Sequence, residues 1–158
     1  MSRRWPKASA PWKWVPDMAE EKLERLDIVT PEKKIYGDDV RYVIAPGGDG
    51  ELGILPEHAP ILTTLRIGIM RVLKDGHYTR YAVSGGFLEA RNSRVVVLAD
   101  AAERAEDIDL ERALAARERA EQRLAAKDPD VNLARAEIAL KKAVNRIKAR
   151  EETQTQTH

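Results

Sequence analysis

The chain contains no cysteine, which excludes disulfides, thiolate nucleophiles and Cys-based zinc sites together. Histidine is almost as scarce. His58, His77 and His158 stand apart without metal-ligand spacing, so neither a zinc site nor a histidine-based triad assembles. No apolar run approaches the ~18 residues that a membrane-spanning helix needs. Nor does one sign of charge dominate: 27 Lys and Arg against 26 Asp and Glu leave +1, which gives no global drive toward nucleic acid or an anionic surface. Electrostatic work must therefore fall to local clusters. Candidates for catalysis are missing as well. Asp38-Asp39 and Glu20-Glu21 are adjacent pairs, and neighbours on a strand face opposite ways, so neither pair shares a reacting centre. Ser84-Gly85-Gly86 leads into GFLEA, which reads as strand rather than the helix a phosphate loop requires. Glycines in such a strand allow close backbone approach.

What is present divides the 158 residues into parts. The first, MSRRWPKASAPWKWVPD, holds all three tryptophans, Trp5, Trp12 and Trp14, interleaved with Pro6, Pro11 and Pro16. It is basic but lacks the continuous apolar core of a secretory signal. Residues 1–18 read as a disordered extension, or as an upstream start with Met18 the natural one; the competing reading is a tag that touches a membrane surface or a partner.

From residue 19 to 104 the pattern is short strands and turns. Gly37-Asp38-Asp39, the glycine-rich run at 47–50, Lys74-Asp75-Gly76 and Arg91-Asn92-Ser93 are turn signals between strand-like runs such as GIMRVL and RVVVLA. Regular spacing of this kind predicts an antiparallel β-sandwich or barrel. Near Ala101 the character changes. Residues 109–126 and 131–150 are rich in Ala, Leu, Glu, Arg and Lys, strong helix formers. Asp128-Pro129-Asp130 interrupts them, with proline ending one helix and Asp130 placed to cap the next. The fold class is thus α+β: an N-terminal antiparallel sandwich or barrel, then an antiparallel two-helix hairpin over 105–150, then a polar tail over 151–158.

The hairpin's apolar seam is Leu110, Ala113 or Leu114, Ala120 and Leu124 against Leu133, Ala136, Leu140, Ala143 or Val144, and Ile147. Alanine dominates it, and at about 0.8 kcal/mol per buried methyl such a seam holds weakly while the helices themselves stay intrinsically stable. That suits either a switch or a static prop. Arg112 and Arg146 stand equally far from Pro129, so the hairpin brings them to one level, with Lys142 about a turn away and Arg119 toward the bend. The convergence makes either an anion pocket near a helix N-terminus or a set of solvated surface charges. The run from Lys141 to Arg150 has five cations and no acid. It suits an acidic partner better than RNA, because no aromatic residue interleaves for stacking.

The order GELGI, then P-x-HAP, SGGFLE and AERAEDID, resembles the ε subunit of bacterial F-type ATP synthases from about Glu20 to Arg150. The resemblance implies a non-catalytic rotor part at the cytoplasmic face of the bacterial cell membrane, peripheral through its complex. It implies a sandwich that docks on the γ subunit and the c-ring, coupling rotation to proton-driven ATP synthesis. It further implies a mobile hairpin that rests beside the sandwich or extends along γ to the α and β subunits and blocks ATP hydrolysis. In some bacterial members the folded hairpin binds ATP as a regulatory ligand through I/L-D-x-x-R-A, which Ile108, Asp109, Arg112 and Ala113 match here. By the same resemblance Glu103, Arg119 and Arg146 join that site, and Lys142 stands where arginine is usual, keeping the charge but losing the bidentate fork. Asp109 and the backbone near Ile108 would meet the adenine edge and the arginines the phosphates; no residue is assigned to Mg²⁺. Glu57 stands where the family usually has glycine. Two alternatives remain at this level: the same rotor and brake with the ATP motif serving only as a helix start, or an adaptor whose basic hairpin binds RNA or an acidic protein.

Overall fold

The computed structural model describes residues 22–155; the Trp-bearing extension, Glu20-Glu21 and His158 lie outside the described residues. Eight strands come first: β1 (Glu24–Val29), β2 (Lys34–Val40), β3 (Tyr42–Gly47), β4 (Gly50–Ile54), β5 (Ile61–Lys74), β6 (His77–Arg91), β7 (Arg94–Ala99) and β8 (Ala102–Arg104). A 3-10 turn at Ala105–Asp107 leads into α1 (Leu110–Ala125) and α2 (Leu133–Thr155).

The strands hydrogen-bond in the order β2-β1-β7-β6-β5-β3-β4, with β8 added to β6. The β5–β6 hairpin is the spine, paired from Ile61 opposite Ala90 to Lys74 opposite His77. Its open end continues into β7, β1 and β2, while its turn end carries β3, β4 and β8. Folding the spine over makes the two layers of a sandwich. The bend falls where Gly85 and Gly86 have φ of 87° and 121°. A Cβ on Gly86 would collide with the Leu98 carbonyl oxygen, so only glycine lets β7 approach there. Leu26, Ile28, Ile54, Met70, Leu88, Val95 and Val97 fill the space between the layers.

Several predicted turns stand where the backbone chemistry put them. Asp75 and Gly76 both have positive φ (50° and 77°), as do Asn92 and Ser93 (51° and 55°), the mirror-image turn that suits right-twisted hairpins. Other expectations need correction. Gly37-Asp38-Asp39 is no turn: it lies inside β2, where the end of Lys34 and the Arg25 guanidinium occupy the space a side chain at 37 would take. The sheet is not wholly antiparallel either, since β1 pairs β7 in parallel, Arg25 to Val29 alongside Arg94 to Leu98. β1 is hydrogen-bonded between its hairpin partner β2 and β7, a placement set by closure of the sandwich rather than by local pattern. And the second helix does not end at Arg150; it runs to Thr155, where Thr153 and Thr155 hydroxyls donate to the carbonyls of Ala149 and Glu151.

The helices form the expected antiparallel hairpin. Lys127, at φ 49°, takes the left-handed position just past α1. Asn132, not Asp130, caps α2, its Oδ1 accepting from the Arg135 N–H at 3.2 Å; Asp130 is drawn into a turn by its own N–H donating to Asp128. The buried seam is Ala113, Ala120, Ala136, Ala143 and Ile147, whereas Leu114, Leu133 and Val144 face outward because small residues let the helices approach more closely than the larger alternatives would.

Candidate functional site

The hairpin lies against the outer side of the sandwich rather than away from it. Ile69 and Ala82 from β5 and β6 meet Ala105, Ile108, Ala113, Ile147 and Ala149, with Leu110 packed alongside. Only three of those buried residues are large. Polar contacts supply the rest of the attachment. Asn145 Nδ2 donates to the Gly68 carbonyl at 2.8 Å, and Arg150 Nη1 to the Glu106 carbonyl at 3.1 Å. Arg146 Nε and Nη2 reach the two oxygens of Glu103 at 2.9 and 3.3 Å.

At the start of α1, Asp109 has extended φ/ψ and its Oδ1 accepts from the Arg112 N–H at 3.2 Å. This is an N-cap in the ordinary sense, satisfying one of the donors a helix start leaves open. Ile108 is buried beneath it at 3% exposure and Ala113 at 0%, so two residues of the I-D-x-x-R-A stretch are core to the junction between sandwich and hairpin. Ala113 and Ile147 share one buried cluster. Their neighbours Arg112 and Arg146 therefore sit at the matching level that the distance from Pro129 predicts.

Between hairpin and sandwich runs a cleft of about 440 Å³, lined by Ser84, Ala102, Glu103, Ala116, Lys142 and Arg146 among others. Glu103 grips one edge of the Arg146 guanidinium in a side-on pair, which orients the cation and leaves its other edge for a further acceptor. Of the eight residues the sequence nominates, the structure brings Glu103, Lys142 and Arg146 to the cleft. Ile108, Asp109 and Ala113 lie at the junction of sandwich and α1. Arg112 and Arg119 are exposed and do not line it; their long side chains lie on the solvent side of α1. The run from Lys141 to Arg150 is likewise divided: Arg146 and Arg150 turn inward to acceptors, while Lys141, Lys142 and Lys148 stay exposed.

Two features escaped the sequence reading. One is a contact at the end of α2, where Glu152 meets Arg71 and Arg80; the only sequence signal was a Glu151-Glu152 pair directly after an acid-free run. The other is an apolar patch on the outside of the opposite layer. Phe87 faces Leu98 across β6 and β7, Leu62 lies on the neighbouring β5, and all three are more than half exposed at 54, 54 and 72%. Strand alternation alone could have found it, since these large residues occupy the outward positions. Among the described residues no cluster suits a metal ion, and no helix is long and apolar enough to cross a membrane.

Two family descriptions match the chain in tandem: the β-sandwich domain of the ATP synthase delta/epsilon chain over residues 24–105, and the long α-helix domain of the same chain over 106–151. The chain is similar to the ATP synthase epsilon chain of Desulforamulus reducens, 61% identical over 130 residues that cover 82% of this chain and 98% of that one. It is similar to that of Bacillus velezensis, 50% identical over 126 residues, covering 80% and 96%. Among solved structures it resembles a chain of the Euglena gracilis mitochondrial ATP synthase OSCP/F1/c-ring assembly, with a TM-score of 0.66 at 26% identity, covering 84% of this chain and 80% of that one.

Proposed function

This chain belongs to the ATP synthase delta/epsilon family as an ε chain, a non-catalytic subunit of that complex, and we propose that its helical hairpin is a nucleotide-sensitive brake on ATP hydrolysis. The sandwich is the fixed part. Its outer Leu62, Phe87 and Leu98 form the apolar face that docks on γ, and the sandwich also meets the c-ring, so that the chain turns with the rotor at the cytoplasmic side of the membrane. The hairpin is the moving part. Released from the sandwich, it lies along γ and presents Lys141, Lys142 and Lys148 to acidic segments of α and β.

The observation that carries this reading is the attachment of the hairpin. Its helices are stable on their own propensity, yet they hold the sandwich through a seam of alanines and a few polar contacts. A bistable element needs that imbalance. ATP tips it toward the docked form. Its phosphates take the free edge of Arg146 and the Lys142 ammonium, with Arg112 and Arg119 swinging in from the solvent side of α1. Asp109 and the backbone near Ile108 meet the adenine. Glu103 contributes by holding Arg146 in the orientation that the docked arm requires.

Arg112→Ala gives the decisive test, because the Arg112 contact in the cap is made by its backbone N–H and survives the substitution. Calorimetry of the isolated chain should show ATP binding that Arg112→Ala weakens at least tenfold, and the assembled enzyme should then hydrolyse ATP more slowly at ATP levels that release the parent. Truncation after Ala126 should raise hydrolysis in both. No heat from the parent at millimolar ATP, or equal binding by parent and variant, would reduce the I-D-x-x-R-A stretch to a helix start; unchanged hydrolysis after truncation would remove the brake.

A further inference from the structure

Arg71 and Arg80 are direct partners across β5 and β6, so their side chains leave the same face of the sheet. Like charges in that relation repel, and this pair is also poorly hydrated: the side chains are 24% and 9% exposed. Carboxylates relieve it from two directions. Glu51, on β4 of the same sheet, takes Arg71 Nη1 at 2.9 Å. Glu152, from the last turns of α2, takes Arg80 Nε at 3.2 Å and Arg71 Nη2 at 3.5 Å with a single oxygen. The first contact stays with the sandwich whatever the hairpin does. The second exists only when the hairpin is down.

The position of Glu152 is informative in its own right. Acidic side chains are unfavourable near the C-terminal end of a helix, where the peptide dipoles present their negative end, and α2 has no basic residue in its last turn. Helix stability alone gives no reason for Glu151-Glu152 there. Residue 152 also lies past the matched long-helix region, which ends at 151. Arg146 and Glu152 are about 9 Å apart along the helix axis at 1.5 Å per residue, so this contact is spatially separate from the cleft at Glu103.

We infer that the Arg71–Arg80 pair is a carboxylate receptor on the sandwich and that Glu152 is its latch, holding the hairpin down independently of nucleotide. The latch deepens the reading above, because it rests on a hairpin that can leave the sandwich. It gives the docked state a second point of control: nucleotide acts near the hinge, ionic strength and competing anions act at the helix end.

The chain's lack of cysteine permits the test directly. Spin labels on Glu89→Cys and Gln154→Cys, both exposed positions, report the distance between the far layer of the sandwich and the end of α2. The intact chain is measured in urea at which the parent shows docked and undocked distances together. Glu152→Gln should lower the docked-to-undocked ratio roughly fivefold, the scale of a charge-assisted contact that is partly exposed. Raising salt from about 0.1 to about 1 M should lower it in the parent and much less in Glu152→Gln. Glu152→Arg combined with Arg71→Glu should restore docking relative to Glu152→Arg alone. Ala149→Glu, at a position with 0% exposure in the seam, is the control that forces the hairpin off. If Ala149→Glu undocks while Glu152→Gln matches the parent, the latch is wrong and the mobile hairpin stands. If Ala149→Glu stays docked, the hairpin does not leave and both readings fall.

Discussion

The space between the two sandwich layers and the seam under the hairpin are built from different side chains. The first is packed with Leu26, Ile28, Ile54, Met70, Leu88 and valines, most of them wholly buried. The second has Ile69, Ile108 and Ile147 among alanines, ringed by hydrogen bonds and by ion pairs at the edge of the hairpin whose groups range from 9 to 38% exposed. Each buried large aliphatic contributes about 1.5–3 kcal/mol, each alanine methyl about 0.8. Ion pairs that are only partly buried add about 1 kcal/mol each, since water still competes for them. One interface therefore defines a fold, while the other holds the hairpin in place by much less. The proposed brake, an arm that moves on a fixed sandwich, would need both.

The largest effect that sharpens this contrast lies on the sandwich side. Glu24 is 2% exposed, its Oε1 has no hydrogen-bond partner among the described residues, and burial pushes its carboxyl up to about 7 from an ordinary 4.5. The unfolded chain ionises this group first, so the native state holds more protons across that window. Stability should fall as pH rises from about 4.5 to about 7 and level off above it, a cost on the order of 3 kcal/mol. Glu24→Gln should flatten that slope and raise the denaturation midpoint at pH 8. An unchanged pH profile would mean that the sandwich interior accepts this charge without penalty.

Next in size is Ile147→Ala, the largest truncation available in the α2 half of the seam. It should cost about 2 kcal/mol or more, and the loss should appear as hydrogen-exchange deprotection of α1 and α2 while the sandwich strands keep their protection. Equal deprotection of β5 and β7 would erase the distinction between the two interfaces. The smallest effect is local. Glu57 has φ 65°, a left-handed conformation that strains a residue with a side chain. Glu57→Gly should stabilise the sandwich by about 1 kcal/mol in urea denaturation, despite losing the exposed Lys22–Glu57 ion pair. A destabilised variant would show that the pair outweighs the strain.

The strand-then-helix order, the tight turns at Asp75-Gly76 and Asn92-Ser93 and the hairpin around Pro129 were all legible, because each depends on neighbours within a few residues. The candidate site was legible in part. Lys142 and Arg146 reach the cleft because hairpin register follows from distance to the bend, and Glu103, on β8, was indicated by the family resemblance alone; nothing local indicates that Arg112 and Arg119 stay on the solvent side. Gly37 within β2 and Asn132 as the α2 cap were misread for the same reason. Their local chemistry allows two outcomes, and contacts from Lys34 and Arg25 in one case, and the path of the chain through Asp128–Asp130 in the other, select between them.

The sequence by itself determined the elements, the turns and the alanine content that makes the hairpin seam weak, since propensity, glycine freedom and side-chain volume belong to individual residues. Tertiary structure alone decided which strand β1 accompanies in parallel, that Glu103 orients Arg146, and that Arg71 and Arg80 stand side by side against Glu152. Those are relations between residues far apart in the chain. Their energies come from distance, burial and the exclusion of water, which exist only once the sheet has closed and the hairpin has come down upon it.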